Sequence, residues 1–440
     1  MFKQIFPLVS IVVLRFFGLF IILPIISLYA NEFHNASPLM IGLVVGGAYL
    51  TQLIFQTPLG ILSDKYNRKI IIFIGLLIFF IGSIICALAQ DIYILVLGRI
   101  IQGIGAIGGI VSAQITDITK EEERTKAMAI MGGGIFLSFI LAMILGPLIG
   151  VKLGASWLFA LTAFLTFLSM ILLLKTQESP KLSYSFEHGK TEWIKSFQDK
   201  NLWIMYLSSF LEKALMTLIF VIIPLALVES FDFNKENLWQ IYLPSAIIGI
   251  FAMGPASILA EKYNRAKLVL FIGISCFILS YFLIAFSLQN LGLFIGGVLI
   301  FFVGFAILEP IMQSLASKYA KAHLRGAALG NFTTASYLGS FVGGVFGAIL
   351  YHDLGLKTLA FSVVILSAIW LLIILCLKAP QKQKNLYIPL NSHLRNQLKK
   401  IANLQGIIET YINENEKIII IKYNSDFTNP KTIQENIKNL

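Results

Sequence analysis

Apolar runs of 18 residues or more recur along most of this 440-residue chain, and no other feature constrains its fold as strongly. A run of that length crosses the hydrocarbon of a bilayer as a helix, because no water is present there to satisfy an open backbone. Twelve spans are expected, near 5–29, 38–62, 69–89, 92–115, 126–150, 154–174, 202–228, 238–260, 267–287, 290–314, 325–350 and 356–378. Only 13% of residues are charged, against about 25% in a soluble domain.

The net charge of +11 would suit nucleic acid, but its distribution does not. The basic residues gather in alternate loops: Lys65, Arg68 and Lys69; Lys120, Arg124 and Lys126; Lys262, Arg265 and Lys267; Lys318, Lys321 and Arg325. The opposite loops hold Lys152, Lys235 and Lys357. This asymmetry predicts a multi-pass protein with both termini cytoplasmic, and it removes the case for a nucleic-acid partner. Cys86, Cys276 and Cys376 each fall in a predicted span, with no disulfide or metal spacing. The first run contains Arg15 and lacks a small-x-small cleavage site, so it is read as a retained span rather than a signal peptide.

The chain repeats itself. Pro58–Lys65 aligns with Pro255–Lys262 at a shift of 197 residues. Ser138, Ala142, Gly146 and Gly150 put small residues on one face of the fifth span, and Ser336, Ser340, Gly344 and Ala348 do so on the eleventh. The expected organisation is two six-span halves, 1–174 and 202–378, joined by a linker at 175–201. In that linker Trp193 and Phe197 fit either a short interfacial helix or a solvated one. The tail, 379–440, reads β-α-β-β-α, a small ferredoxin-like unit short of a last strand. It has no cysteine pair, and His393 is read as a surface residue.

The loop "PLGILSDKYNRKI" places Gly60, Asp64, Lys65, Arg68 and Lys69 at the end of the second span. If the helix continues, Asp64 and Arg68 stand one turn apart as a directional, partly desolvated pair. Asn67, and Asn264 in the second copy, are expected in the left-handed turn that Asn tolerates better than most residues.

These residues resemble motif A of the major facilitator superfamily, with Asn67 where a Gly is usual. Arg99, Gln102, Gly103, Gly105 and Ala106 resemble its motif B; Gly146, Pro147 and Gly150 resemble motif C of the antiporter branch, with Val151 at the second glycine. The first span, "LRFFGLFIILPI", the tenth, "FFVGFAILEP", and the appended tail resemble YajR-type transporters. The resemblance implies an all-α membrane fold of twelve helices in two pseudo-symmetric halves, plus the small α+β domain. It also implies a clasp: Asp64 and Arg68 working with Asp117 at the end of the fourth span, and Asp64 facing the start of the eleventh, to hold the cytoplasmic side shut. The second copy keeps Glu261 and Arg265 but has Ala266 at the Lys69 position, and is expected to be the weaker one.

A charge inside a membrane costs about 2.5–3.5 kcal/mol by insertion scales, so each is a functional candidate. Arg15, Arg99, Glu212, Lys213 and Glu309 qualify. Glu309 and Glu212, with Arg15 and Lys213, are candidates for proton coupling; the alternative is a static ion pair within each half. Arg99 is expected to organise the first and fourth spans. Pro24 and Pro224 are expected to loosen the first and seventh. Tyr49, Gln52 and Gln56 share one helix face and are cavity candidates, whereas Gln240 and Tyr242 suit interfacial anchoring.

No phosphate loop, metal cluster or nucleophile–base pair is visible, so neither catalysis nor ATP drive is expected, and no cofactor. The leading expectation is a monomeric, proton-coupled exporter of drug-like or amphipathic small solutes in a bacterial inner membrane. A sugar or metabolite permease of the same fold, and a membrane sensor signalling through the tail, remain alternatives. Substrate identity rests on scattered side chains and is not readable here.

Overall fold

The computed structural model describes residues 2–120, 123–176, 178, 184–185, 199–287, 290–320, 325–378, 383–391, 394–395, 397–414 and 416–438. The side chains of residues 125, 184–185, 325–327, 383, 399 and 438 are outside that description. The Trp193–Phe197 segment and His393 also lie outside it.

Helices form where the apolar runs predict them. Span 2 is Pro38–Lys65, span 3 Arg68–Ala87, span 5 Arg124–Leu153 and span 6 Ala155–Leu174. Spans 7 to 10 are Lys200–Phe231, Trp239–Glu261, Ala266–Phe286 and Leu291–Tyr319. Spans 11 and 12 run as Arg325–Leu375, interrupted at Gly355. Side-chain caps start several of them: Ser37 accepts from the Met40 N–H, and Asp199 from those of Asn201 and Leu202.

Two spans expected as continuous are broken. Span 1 is Phe2–Phe20 followed, across residues 21–25, by Ile26–Asn31. Pro24 supplies no N–H there, so the ladder stops. Span 4 is Ile92–Ile104 then Gly108–Ile118, parted at Gly105. The seventh span shows the opposite outcome: Pro224 sits inside an unbroken helix.

The duplication is visible in the backbone. Spans 5 and 6 meet at Gly154 (φ 90°, ψ 152°), and spans 11 and 12 at Gly355 (φ 70°, ψ 167°). Only glycine occupies that region without strain, so both halves make the same tight corner.

The halves touch at the Glu32–Lys235 end of the bundle. Lys235 pairs with Glu32 at 2.7 Å, and Ser27 Oγ donates to the Val221 carbonyl at 3.3 Å. Span 2 meets span 11 so closely that a Cβ on Gly42 would lie 2.6 Å from Val345 Cα, and one on Gly46 2.8 Å from the Phe341 carbonyl. Toward the Asp64 end, a Cβ on Gly60, or on Gly330, would have nothing within 4 Å. The small-residue stripes follow this geometry. Ser138 Oγ donates to the Val13 carbonyl of span 1, and Ser336 bonds Ser209 of span 7. Gly344 instead faces Gly46 in the other half.

The tail folds as a split β-α-β. Strand β2 (Gln383–Pro389) is followed by a short helix at Leu398–Ala402, then β3 (Ile407–Asn413), β4 (Ile418–Asn424) and the helix Pro430–Lys438. Strand β4 lies between β2 and β3, antiparallel to both. Ile401, Ile412, Ile419, Ile421 and Ile433 form its core. A fourth strand, β1 (Tyr184–Ser185), comes from the linker and pairs with β3. Nothing in the sequence pattern announced it.

Candidate functional site

Arg68 joins the motif-A residues. Its Nη1 is 2.9 Å from Asp64 Oδ1, its Nε 2.7 Å from Asp117 Oδ2, and it donates to Ser63 Oγ at 3.2 Å. The helix does not continue through this pair, contrary to the simplest expectation. Span 2 ends at Lys65 and span 3 begins at Arg68, so the ion pair ties two spans to the end of the fourth. Asn67 also departs from expectation: its φ of −69° is not left-handed, and its side chain caps span 3 by accepting from the Lys69 N–H. Asn264 does adopt the left-handed turn, with φ 54°.

The second copy is wired differently. Glu261 pairs with Lys318 of span 10 at 2.7 Å and accepts from Ser314, while Arg265 is exposed. Arg265 is therefore no counterpart of Arg68. Nor is Ala266 the counterpart of Lys69. Lys69 Nζ donates to the Leu174 and Thr176 carbonyls at the end of span 6, both at 3.1 Å. Lys267 Nζ does the same to Leu375 and Leu377 at the end of span 12, at 2.7 and 2.9 Å. The left-handed turn at Asn264 accompanies a slip of one residue, and the lysine's function moves with it.

Inside the membrane the two halves hold charge in different ways. Arg15 Nε donates to the Gly105 carbonyl at 3.1 Å, an acceptor orphaned by the break in span 4, and its guanidinium lies 5.1 Å from the Phe79 ring centroid. Arg99 Nε donates to the Val44 carbonyl at 2.9 Å and Nη1 to Gln102 Oε1 at 2.8 Å; Gln102 in turn donates to Ser83. Arg99 thus organises spans 2 and 3 with its own, rather than span 1. Gly103 lets span 4 lie against the Ala48 carbonyl of span 2. Among the described residues neither arginine makes an ion pair.

The second half concentrates three charges. Lys213 Nζ bonds Glu309 across spans 7 and 10 and lies 3.4 Å from Glu212. Neighbouring helix positions diverge by about 100°, but the flexible lysine stem reaches both carboxylates. Side-chain exposure falls from 36% at Glu309 to 18% at Lys213 and 0% at Glu212. Lys213 also lies 4.9 Å from the Phe305 ring centroid. Tyr49 of span 2 and Tyr337 of span 11 are within electrostatic reach of the lysine.

The motif-C residues serve the bend in span 1. Gly146 packs beneath the Ile21 carbonyl and Gly150 against the Ile25 side chain, with Pro147 between them in span 5. Tyr242 was expected at a membrane interface. It is fully buried, stacks on Phe220 and donates to the Pro24 carbonyl at 3.3 Å, joining the halves through the break itself. Of the cavity candidates, Tyr49 and Gln52 are buried and Gln56 is half-buried. Tyr49 packs with Leu19, Ala48 and Phe79; Glu309 and Lys213 are the more exposed side chains of the charged cluster.

Helices long and apolar enough to cross a membrane, with charged side chains buried among them, define a multi-pass membrane protein. The Major Facilitator Superfamily pattern matches residues 8–344 and, in a second match, 255–408. The chain is 31% identical to the inner membrane transport protein YajR of Escherichia coli (strain K12), over 97% of this chain and 95% of that one. It is 25% identical to the class H tetracycline resistance protein of Pasteurella multocida, over 79% and 89%. The fold superposes on the D-xylose–proton symporter with a TM-score of 0.71 at 17% identity, covering 85% and 97%. The chain belongs to the major facilitator superfamily.

Proposed function

We propose that this protein is a proton-coupled secondary transporter exporting drug-like or amphipathic small solutes, as a monomer with both termini cytoplasmic. The observation that carries this reading is the Glu212–Lys213–Glu309 cluster. Two carboxylates share one ammonium, which leaves one negative charge to be met by one proton. Glu212 is wholly buried and Glu309 is partly open, so the deeper carboxyl holds the proton and the outer one meets the solute. Lys213 can pair with either, so its choice of partner links the two events. The resistance relative supports export, and the proton gradient takes the place of a bound cofactor as the energy source.

The motif-A loop supplies the second state. A Cβ on Gly60 or on Gly330 would meet nothing within 4 Å, which supports a state with the Asp64 end open. Rocking the halves would bring them together and open the Glu32–Lys235 end. The test is flux in vesicles under an imposed pH gradient, comparing the parent with Glu309→Gln. Coupled flux should follow the gradient and collapse in the variant; flux indifferent to both rules out proton coupling.

A further inference from the structure

Beside the charged cluster the two halves meet through aromatic rings. Phe139, on span 5 of the first half, packs edge-on against Phe20 of span 1, with ring centroids 5.3 Å apart. It also crosses to the second half. Its ring lies 5.9 Å from that of Phe220 on span 7 and 5.4 Å from that of Phe305 on span 10. Aromatic rings at such separations attract through their edges and faces, so a first-half side chain is held between two spans of the second.

The two second-half rings lead in opposite directions. Phe305 stands one helical turn before Glu309, and Lys213 Nζ sits 4.9 Å from its centroid, a cation over a ring. Phe220 stands two turns after Lys213 on the same face of span 7. It stacks on Tyr242 at 6.2 Å, and the Tyr242 hydroxyl donates to the Pro24 carbonyl in the break of span 1. Phe302 completes the group, 5.9 Å from Phe220 and 6.4 Å from Tyr242. Burial deepens along the same line. Glu309 and Lys213 keep part of their surface open, whereas Phe139, Phe220, Phe302, Phe305 and Tyr242 are buried. Because Phe139 and its two partners belong to opposite halves, opening the Glu32–Lys235 end has to separate them.

We propose that Phe139 is a positioning residue that carries the state of the charged cluster to the contacts holding the Glu32–Lys235 end shut. With its ammonium over Phe305, Lys213 keeps that ring against Phe139. Phe139 and Phe220 together keep Tyr242 on Pro24. When Lys213 changes its pairing, the ammonium leaves the Phe305 ring, the three-ring contact loosens and the halves part at that end. The part played by Lys213 rests on the proton-coupled reading above; closure by Phe139 does not.

The test reads geometry without solute or pH gradient. Spin labels at Gln90→Cys, after span 3, and Lys357→Cys, after the Gly355 corner, are exposed sites at that end of the two halves. They report its opening in a background free of Cys86, Cys276 and Cys376. The parent should show a short-distance population, and Phe139→Ala should move a large share of it to longer distances. Should that chain not insert, Phe139→Leu, which keeps apolar bulk without a ring, is read against the same outcomes. Phe159→Ala removes a ring of span 6 that is also deeply buried in the first half. It should lower the thermal midpoint and leave the distances unchanged. Lys213→Gln should shift them in the same direction as Phe139→Ala, and the double variant no further than the larger single change. No shift in the Phe139 variant, or an equal one in Phe159→Ala, overturns the assignment. No shift in Lys213→Gln, or shifts that add in the double variant, overturns the link to the cluster. Vesicle flux indifferent to the gradient would instead sink proton coupling and leave the Phe139 distances as expected.

Discussion

The two halves of the transporter share one repeated pattern but hold their buried charges differently. In the first half, Arg15 and Arg99 spend their donors on the Gly105 and Val44 carbonyls. Such contacts fix helices and leave no carboxylate to protonate. In the second half, Lys213 faces two carboxylates, and a three-charge cluster offers more than one pairing. At the loops the balance reverses. The first half has the Asp64–Arg68–Asp117 set, which ties spans 2 and 3 to span 4, while in the second Glu261 reaches Lys318 and Ser314 of span 10. Duplication preserved the corners, and specialisation separated the charges.

The comparison breaks first at the cluster. Lys213→Ala leaves two carboxylates with no ammonium and should abolish most gradient-driven flux; the broken buried pair also costs about 3–5 kcal/mol of stability, so flux is normalised to inserted protein. Arg15→Lys, a cation held by a carbonyl, should cost far less. Vesicle flux at fixed pH gradient reads both; equal losses would mean that the halves do not divide the work as described.

The clasp gives the next effect. Asp64→Asn removes one of the two carboxylates that hold Arg68 and should cut turnover severely while the chain still inserts. Glu261→Gln, at the second-half pair, should cut it several-fold less. Transport rate normalised to inserted protein decides, and the reverse order would overturn the inequality.

These assignments were unequally legible in the sequence. The spans could be read because a bilayer demands about 20 apolar residues whatever their order. Asp64 and Arg68 were readable as a pair because their spacing is local, and Asp117 came only through the family resemblance. Lys267 was mismatched because the loop repeat holds at 197 residues while the lysine follows at 198, and the slip lies in the backbone at Asn264. Tyr242 was misplaced because a tyrosine near a span end usually meets the interface, and its acceptor exists only because span 1 breaks. Glu309 could be found as a charge in a membrane, but its link to Lys213 depends on how spans 7 and 10 cross. Strand β1 is two residues long, too short for any periodicity to mark.

The shared corners sharpen the comparison with a smaller, matched effect. Gly154→Ala and Gly355→Ala each force a side chain into a backbone region that costs about 1–3 kcal/mol. Neither position offers a collision: a Cβ at either would have nothing within 4 Å. The two losses should therefore be nearly equal in detergent thermal unfolding, since only the backbone differs from its preference.

The smallest effect belongs to the lysines that close the sixth and twelfth spans. Each donates to carbonyls that the last helical turn leaves open, at the negative end of the helix dipole. Such a contact is worth about 0.3–1 kcal/mol, so Lys69→Ala and Lys267→Ala should lower the thermal midpoint by similar small amounts. They should differ in what they release. Lys69 holds the start of the linker, whereas the end held by Lys267 is also tied by Asn201 and Tyr319. Proteolysis near Thr176 should therefore accelerate in Lys69→Ala, while cleavage near Lys378 in Lys267→Ala should change little. Equal acceleration at both sites would show that the lysine alone secures each exit, and the asymmetry between the halves would end at the membrane surface.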